Sequence, residues 1–250
     1  MPTALVTGAS SGIGDAFARR LSADGYEVVA VARRRARLEE LQRAGAAAEI
    51  LVADLASPEG CALVEERVAS GIDLLVNNAG IGTGRSFEET SIAEEERMLS
   101  VNVRAVMRLA HAAAPKMLAA GSGEIINVSS VAAFTAVAGY ATYSASKAYV
   151  TALSESLAVR YASRGVKVMA LCPGYVRTEM HEPSQVPTGL TGRLLWFDPE
   201  DLVDVALRDL RRGRVLSVPG LPYKAAIVTS RMLPRRVLAA AGKFANRNQQ

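Results

Sequence analysis

Short apolar runs alternate with stretches of helical periodicity along most of this 250-residue chain. The runs that are short enough to be single strands cover residues 4–7, 28–32, 49–53, 72–76, 124–128 and 166–172. Between them, apolar residues recur at helical spacing over residues 13–21, 38–43, 94–118 and 143–162. Parallel neighbouring strands need a crossover connection, which is usually a helix. The alternation therefore predicts an α/β fold of three layers, a doubly wound parallel sheet with helices on both faces.

The composition fits a single domain over residues 1–250. Half of the residues are hydrophobic and 22% are charged, so a chain of this length can bury a sizeable core. No run of about 18 uncharged apolar residues occurs, and the N-terminus lacks the basic-then-apolar layout of a signal peptide. These features predict a cytoplasmic protein. Pro and Gly predict a loop at about residues 179–198, and an extension of apolar and basic residues follows at about 223–250.

The sequence indicates neither a nucleic-acid partner nor a metal ion. The net charge is +4, but the arginines are dispersed among acidic residues and no basic-aromatic module occurs, so no nucleic-acid partner is expected. His, Cys and carboxylate residues show no metal-ligand spacing, so no metal site is expected. Cys61 and Cys172 are interpreted as buried small side chains, and His111 as a packing or surface residue. A substrate contact by His181, in the loop, stays open.

A glycine-rich turn directly follows the first predicted strand. It reads Thr-Gly-Ala-Ser-Ser-Gly-Ile-Gly over residues 7–14. Glycines permit a sharp turn, while the N–H groups and the dipole at a helix start attract phosphate. A plain strand-to-helix turn would carry the same glycines, but doubly wound sheets bind a pyrophosphate at this place. The predicted binding residues are Gly8, Ser10, Ser11, Gly12, Ile13 and Gly14.

Arginines, not an acid, follow the second predicted strand. Residues 33–35 are all Arg, whereas NAD-binding folds place an acid here to hold the ribose 2′-hydroxyl. Arg accommodates a 2′-phosphate, so Arg33 and Arg34 predict NADP(H) as the cofactor. A solvated helix start would also explain the run, although cations oppose the dipole there unless an anion is near. Asp54, which ends the third strand, is placed to accept a hydrogen bond from the adenine amino group.

Tyr143 and Lys147 are four residues apart, so on a helix they share one face. The ammonium is expected to favour the phenolate and to lower the tyrosine pKa toward the range of a working proton donor. Such a pair also arises by chance. Ser130 lies just past the fifth predicted strand, at the edge where open α/β sheets bind ligands, and its hydroxyl is expected to hydrogen-bond a substrate carbonyl. Ser129 is its competitor, because the sequence does not show which side chain faces the ligand.

Together these residues resemble the short-chain dehydrogenase/reductase family. The resemblance rests on residues 7–14, on Asn-Asn-Ala-Gly at residues 77–80, on Asn102 and Ser130, and on Tyr143 with Lys147. It extends to about Thr178, with Pro173 and Gly174 matching the segment that closes over the nicotinamide in that family. It implies a Rossmann-type sheet of about seven strands, a small-molecule substrate, and a homo-dimer or homo-tetramer that pairs the long helices.

The resemblance also implies roles for individual residues. Tyr143 would be the general acid in reduction or the base in oxidation, and Lys147 would lower its pKa and bind the nicotinamide ribose. Ser130 would orient the substrate oxygen, and Asn102 would hold a water of the proton relay through its backbone. The implied cofactor contacts beyond the glycine-rich turn and the two arginines are Asp54, Leu55, Asn78, Ala79, Gly80, Tyr143, Lys147, Pro173, Gly174, Val176 and Thr178. Asn77 is interpreted as a residue that stabilises its strand.

One departure from the family pattern bears on the cofactor. Ser11 stands where some NADP-dependent relatives carry a basic residue, so the NADP(H) preference rests mainly on Arg33, with Arg34 and Ser10 in support. The expected activity is NADP(H)-dependent reduction of a ketone or aldehyde by hydride transfer. Oxidation of an alcohol, secondary or steroid-like, is the rival direction. A catalytically silent NADP(H)-binding regulator or scaffold is a different class, but such a protein usually lacks the Tyr, Lys or Ser.

Two segments keep alternative interpretations. Trp196 and Phe197 are either an apolar lid or an anchor into the core. The extension at residues 223–250 is interpreted as packing on the domain or on a partner subunit, with peripheral contact to a membrane surface as the less favoured alternative.

Overall fold

Seven parallel strands form the central sheet. The computed structural model describes residues 1–134, 140–179 and 195–232. The described residues form nine strands in all, seven of them in the central sheet. They are β1 Thr3–Thr7, β2 Glu27–Ala32, β3 Glu49–Val52, β4 Leu74–Asn77, β5 Gly123–Val128, β6 Val166–Leu171, β7 Tyr175–Val176, β8 Trp196–Phe197 and β9 Leu216–Ser217. The central sheet has the order β3-β2-β1-β4-β5-β6-β9, and β7 pairs with β8 in a separate parallel ladder.

Helices connect the strands and cover both faces of the sheet. They are α1 Gly12–Ala23, α2 Arg35–Arg43, α3 Pro58–Ala69, α4 Ile92–Leu99, α5 Val106–Ala120, α6 Ala141–Tyr161, α7 Pro199–Arg211 and α8 Leu221–Met232. Local signals explain where several of them begin. Before α3, for example, the Ser57 side chain accepts a hydrogen bond from the Gly60 N–H, and Pro58 occupies the first turn.

Alternate residues of each strand enter the cores on opposite faces of the sheet. In β1, Ala4 and Val6 pack into one core and Leu5 into the other. The first core is completed by α1, α2 and α7, with Phe17, Leu38 and Leu202 fully buried. The second is completed by α3, α5 and α6, with Val64, Leu109 and Ala158. Because strand side chains alternate between the two faces, both faces are covered, and the predicted three-layer fold is confirmed.

The strand order reverses beside β1. The chain steps from β1 through β2 to the edge strand β3 and then returns to β4 on the other side of β1. In open α/β sheets, the two diverging crossovers leave a crevice at the carboxyl ends of the strands on either side of such a point. The glycine-rich turn follows β1, so the topology places it in this crevice.

The predicted helix over residues 94–118 contains an irregular turn in the structure. A π-helical segment, Ser100–Ala105, joins α4 to α5 and includes the fully buried Asn102. A π-turn widens a helix by one residue and is often found at functional sites. It brings the Asn102 side chain to the segment that follows β4.

Several predictions concern residues outside the described parts of the chain. These are the loop prediction at residues 180–194, with His181, and the extension at residues 233–250. Cys61 and Cys172 are buried, as predicted, and His111 is exposed on α5. No helix within residues 1–134, 140–179 and 195–232 is long and apolar enough to cross a membrane.

Candidate active site

A groove with a cavity volume of about 520 Å³ opens at the carboxyl edge of the sheet. Its lining comes from the ends of the strands and from the turns that follow them, which are far apart in sequence. The groove brings together the predicted site residues, except that Gly14 and Asn102 lie behind its wall. Its size is within the range of small-molecule binding sites.

The glycine-rich turn is tightly packed at one side of the groove. Gly8 and Gly12 have φ of +67° and +55°, a left-handed conformation that favours glycine. A Cβ at Gly14 would overlap the Gly8 carbonyl oxygen, so this glycine lets α1 begin close to β1. Asn78 braces the turn by donating a hydrogen bond from Nδ2 to the Thr7 carbonyl at 2.9 Å. The N-terminus of α1 therefore faces the groove with its backbone exposed for a phosphate.

Basic residues line the adjoining part of the groove. Arg33 and Arg34 follow β2, and Arg34 donates hydrogen bonds from Nη2 to the Ser10 carbonyl at 2.9 Å and from Nη1 to Glu179 Oε2 at 2.7 Å. Among the described residues, Arg33 makes no side-chain hydrogen bond or ion pair. Neither Glu179 nor its proximity to Arg34 was foreseen from the sequence.

Asp54 is already paired across the groove. Its Oδ2 accepts a hydrogen bond from Arg97 Nη2 at 2.8 Å, and Arg97 itself lines the groove. Partial burial would raise the pKa of this carboxyl, but the hydrogen bonds from Arg97 and from the Ala56 N–H outweigh it and hold the pKa below its usual value. Asp54 therefore stays an acceptor at neutral pH. Sequence reasoning missed Arg97, because its partner is 43 residues away.

Tyr143, Ser130 and Lys147 meet at the other side of the groove. Tyr143 and Lys147 lie one turn apart on α6, with Lys147 Nζ 5.7 Å from the centre of the tyrosine ring. Nζ donates a hydrogen bond to the Val128 carbonyl, at the end of β5, at 2.9 Å. The Ser130 hydroxyl is hydrogen-bonded to Tyr143. The predicted cluster is therefore present as a geometric unit.

The direction of the Tyr143 pKa shift differs from the expectation. Burial raises the pKa of the Tyr143 phenol, the Ser130 hydrogen bond lowers it, and Tyr140 raises it, with burial the largest effect. The same desolvation lowers the pKa of Lys147 to about 8. Because burial disfavours the charged form of each group, the expected lowering of the tyrosine pKa by the ammonium is corrected to a net rise.

The structure distinguishes Ser130 from Ser129. The Ser129 hydroxyl is buried and contacts the Lys147 carbonyl and the Thr151 hydroxyl, both at 2.8 Å. Ser130 lies on the groove side, where its hydroxyl accepts a hydrogen bond from the Ala132 N–H at 3.1 Å. Ser130 is therefore the serine that is oriented toward Tyr143.

Two buried asparagines hold the wall of the groove in place. Asn102 accepts a hydrogen bond from the Ile81 N–H and donates one to the Ile81 carbonyl, each at 2.9 Å. Asn77 donates a hydrogen bond from its Nδ2 to Asn127 Oδ1 at 2.9 Å, which links β4 to β5. The contacts of Asn77 agree with its interpretation as a strand-stabilising residue.

Tyr223 of α8 joins three segments beside the groove. Its hydroxyl accepts a hydrogen bond from the Tyr175 N–H at 3.1 Å and donates one to the Leu195 carbonyl at 2.8 Å. A Cβ at Gly174 would overlap its ring. The described part of the extension thus packs on the rest of the chain, and Phe197 likewise packs against the core as an anchor.

The chain is similar to known proteins over most of its length. A family model described as short chain dehydrogenase matches residues 2–187. An oxidoreductase from Myxococcus xanthus is 31% identical over 253 aligned residues, which cover 96% of each chain.

Two solved structures superpose on most of the chain. A short-chain dehydrogenase from Sphingobium yanoikuyae in complex with NADPH has a TM-score of 0.82 and 34% identity, covering 93% of this chain and 94% of its own. A bulky-bulky ketone specific alcohol dehydrogenase from Comamonas testosteroni has a TM-score of 0.81 and 31% identity, covering 93% and 92%. These matches agree with the fold.

Proposed function

Because the chain belongs to the short-chain dehydrogenase family, we propose that it is an NADP(H)-dependent reductase of a ketone or aldehyde. As a member of this family it is an oxidoreductase that acts on alcohol or ketone substrates with a nicotinamide cofactor. The proposal of NADP(H) as the cofactor and of carbonyl reduction as the reaction rests on one observation, which is that the groove is continuous. It runs from the arginines after β2, past the glycine-rich turn, to Ser130, Tyr143 and Lys147.

The residues of the groove fit a phosphorylated dinucleotide. Gly14 lets α1 begin close to β1, because a side chain there would overlap the Gly8 carbonyl. The exposed N–H groups at the start of α1 would then hold a pyrophosphate. Arg33 and Arg34 supply positive charge for a 2′-phosphate. Asp54, Leu55 and residues 78–80 would hold the adenosine, and Pro173, Gly174, Val176 and Thr178 would hold the nicotinamide end. Gly12 faces Thr178 closely enough that a Cβ there would overlap its side chain.

The bound cofactor supplies the hydride in reduction and accepts it in oxidation. In reduction, the Tyr143 phenol donates its proton to the substrate oxygen as the carbonyl carbon is reduced. Burial raises the pKa of Tyr143, so the phenol stays protonated at neutral pH, which is the form that reduction requires. In oxidation the phenolate is required instead, so that direction is expected to speed up as the pH rises.

Ser130 and Lys147 support this proton transfer. Ser130 is hydrogen-bonded to Tyr143 and would place the substrate oxygen next to the phenol. Lys147 is held by the Val128 carbonyl, which leaves its other two N–H donors for the ribose hydroxyls of the cofactor. Asn102 fixes the backbone at Ile81 and would act through that positioning and its own backbone.

The functional proposal is tested with purified full-length protein, NADPH and a panel of ketones and aldehydes. The panel includes ketones with two bulky substituents, because the similar Comamonas testosteroni enzyme is specific for such ketones. We expect substrate-dependent oxidation of NADPH, followed by its absorbance. Tight NADPH binding without oxidation on any carbonyl would favour the silent regulator, and failure to bind either NADPH or NADH would refute the proposal.

A Ser130→Ala variant is expected to lose about tenfold or more in turnover. The Ser130 hydrogen bond lowers the pKa of Tyr143, so its removal should raise that pKa further. Since oxidation needs the phenolate, the rising limb of the oxidative pH–rate profile should move to higher pH. The control is Ser129→Ala, which removes a buried hydroxyl bonded to Lys147 and Thr151 and should lower Tm without moving the limb. Equal profiles for wild type and Ser130→Ala would contradict the assignment.

The expected homo-oligomer would cover apolar side chains that the single chain leaves exposed. Leu99, Met107, Tyr149 and Val159 are exposed on α4, α5 and α6. These helices lie on the face for which the family resemblance implies subunit pairing, and apolar surface of this kind favours association.

A further inference from the structure

One arginine of the groove is shared between the glycine-rich turn and the segment after β7. Arg34 Nε donates to Ser10 Oγ at 3.2 Å and Nη2 donates to the Ser10 carbonyl at 2.9 Å. On its other side, Nη1 donates to Glu179 Oε2 at 2.7 Å. The ion pair therefore connects two segments that are 145 residues apart in sequence.

The carboxylate of this pair lies in the groove and not on a remote surface. Glu179, Arg34 and Arg33 all line the same cavity as Ser10 and Ser11. The hydrogen bond and charge of Arg34 keep the pKa of Glu179 below its usual value, so the residue is anionic at neutral pH. An acid thus stands beside the arginines to which a 2′-phosphate would bind, although none follows β2 in the sequence.

The Glu179 carboxylate and a bound 2′-phosphate would compete for the N–H donors of Arg34. A guanidinium has five N–H groups, and Arg34 already uses three of them on Ser10 and Glu179. A phosphate at this position gains from Arg34 but is repelled by the carboxylate a few ångströms away. The side chains of Arg34 and Glu179 are 43% and 57% exposed, so the pair is weak enough for a phosphate to compete with it.

We propose that Glu179 is a cofactor-specificity residue, which competes with the 2′-phosphate of NADP(H) for Arg34 and so limits the preference for NADP(H) over NAD(H). The inference rests on the proposed function. Both nucleotides carry the pyrophosphate, but only NADPH carries the 2′-phosphate that competes for Arg34, so Glu179 changes the affinity for NADPH more than that for NADH. Arg33, without a side-chain partner among the described residues, then supplies the main attraction for the phosphate.

The test is the binding of NADPH and of NADH to full-length wild type and to Glu179→Gln, by isothermal titration at low and at moderate salt. The amide is isosteric and the position exposed, so the fold is retained. We expect the Kd for NADPH to fall by roughly 3- to 10-fold at low salt, the effect of removing one nearby charge, with a smaller gain at higher salt. The Kd for NADH should change by a clearly smaller factor, because NADH has the pyrophosphate but no 2′-phosphate.

A matched control removes a second ion pair, which is similarly exposed but lies outside the groove. Arg177 Nη1 pairs with Asp198 Oδ1 at 2.8 Å, and the side chains are 49% and 54% exposed. Neither residue lines the groove. Asp198→Asn keeps a residue that can cap α7, and it should change neither Kd.

A double-mutant cycle shows whether Glu179 acts through Arg34. In an Arg34→Gln background, Glu179→Gln should give a clearly smaller gain in NADPH affinity than in wild type. An equal weakening of NADPH and NADH binding in Glu179→Gln would mean that the pair retains any dinucleotide, and it would overturn the inference. So would an unchanged NADPH Kd while both nucleotides bind. Protein that binds neither nucleotide would refute the proposed function and this inference together.

Discussion

A Tyr143→Phe variant is expected to lose about a thousandfold in the rate of carbonyl reduction while keeping its affinity for NADPH. The substitution removes the phenolic proton and leaves the ring. The ring contacts should persist, since Lys147 Nζ lies 5.7 Å from the ring centre and the Tyr140 ring packs edge-on with a centroid separation of 6.4 Å. The loss should therefore appear in kcat and not in the folding of the site. Turnover is measured with NADPH and the best carbonyl of the panel, and NADPH binding by titration.

Tyr140 provides the matched control for this variant. It lies three residues before Tyr143 and also carries a phenol, but its side chain is exposed and outside the groove lining. Tyr140→Phe should keep turnover within about twofold of wild type. Wild-type turnover in Tyr143→Phe would show that another group supplies the proton, and the proposed mechanism would then be wrong.

Reversing the charge of Arg33 is expected to raise KM for NADPH about 100-fold more than KM for NADH. Arg33 lines the groove, and among the described residues its side chain makes no hydrogen bond or ion pair, although its charge acts on Asp54. In Arg33→Asp, attraction for a 2′-phosphate becomes repulsion, while an aspartate can accept from the 2′-hydroxyl of NADH. The variant should therefore lose activity with NADPH and keep or gain it with NADH.

Arg35 serves as the control because it belongs to the same arginine run. It begins α2, its side chain is 68% exposed, and it does not line the groove. Arg35→Asp places an acid in the first turn of a helix, where it is tolerated, and should leave the ratio of the two KM values unchanged. Equal effects of Arg33→Asp on both cofactors would refute the NADP(H) assignment.

The sequence predicted the central strands well because buried parallel strands are nearly continuous apolar runs. The last strand, Leu216–Ser217, was not predicted, since a two-residue strand has no periodicity to detect. It forms because β6 offers an unpaired edge and the Ser217 hydroxyl bonds to the buried Asp209 carboxylate at 2.7 Å. Such tertiary contacts leave no local pattern in the sequence.

The sequence predicted most of the residues that line the groove but not their orientation or charge. Ser129 and Ser130 are neighbours in sequence, and only their contacts separate the buried hydroxyl from the one at Tyr143. The Tyr143 pKa could not be foreseen, because the degree of burial decides its direction. Arg97 and Glu179 reach the groove from distant segments, and nothing in their own neighbourhoods marks them as site residues.

Gly174 and Tyr223 cannot evolve independently of each other. Any larger residue at position 174 would overlap the phenol ring, and loss of that ring's hydroxyl would release Tyr175 and Leu195 together. A library built to change which substrates are accepted should therefore vary the two positions jointly. The final described helix then becomes a place from which the shape of the groove is engineered, because Tyr223 lies outside the lining and packs directly behind Gly174, which is part of it.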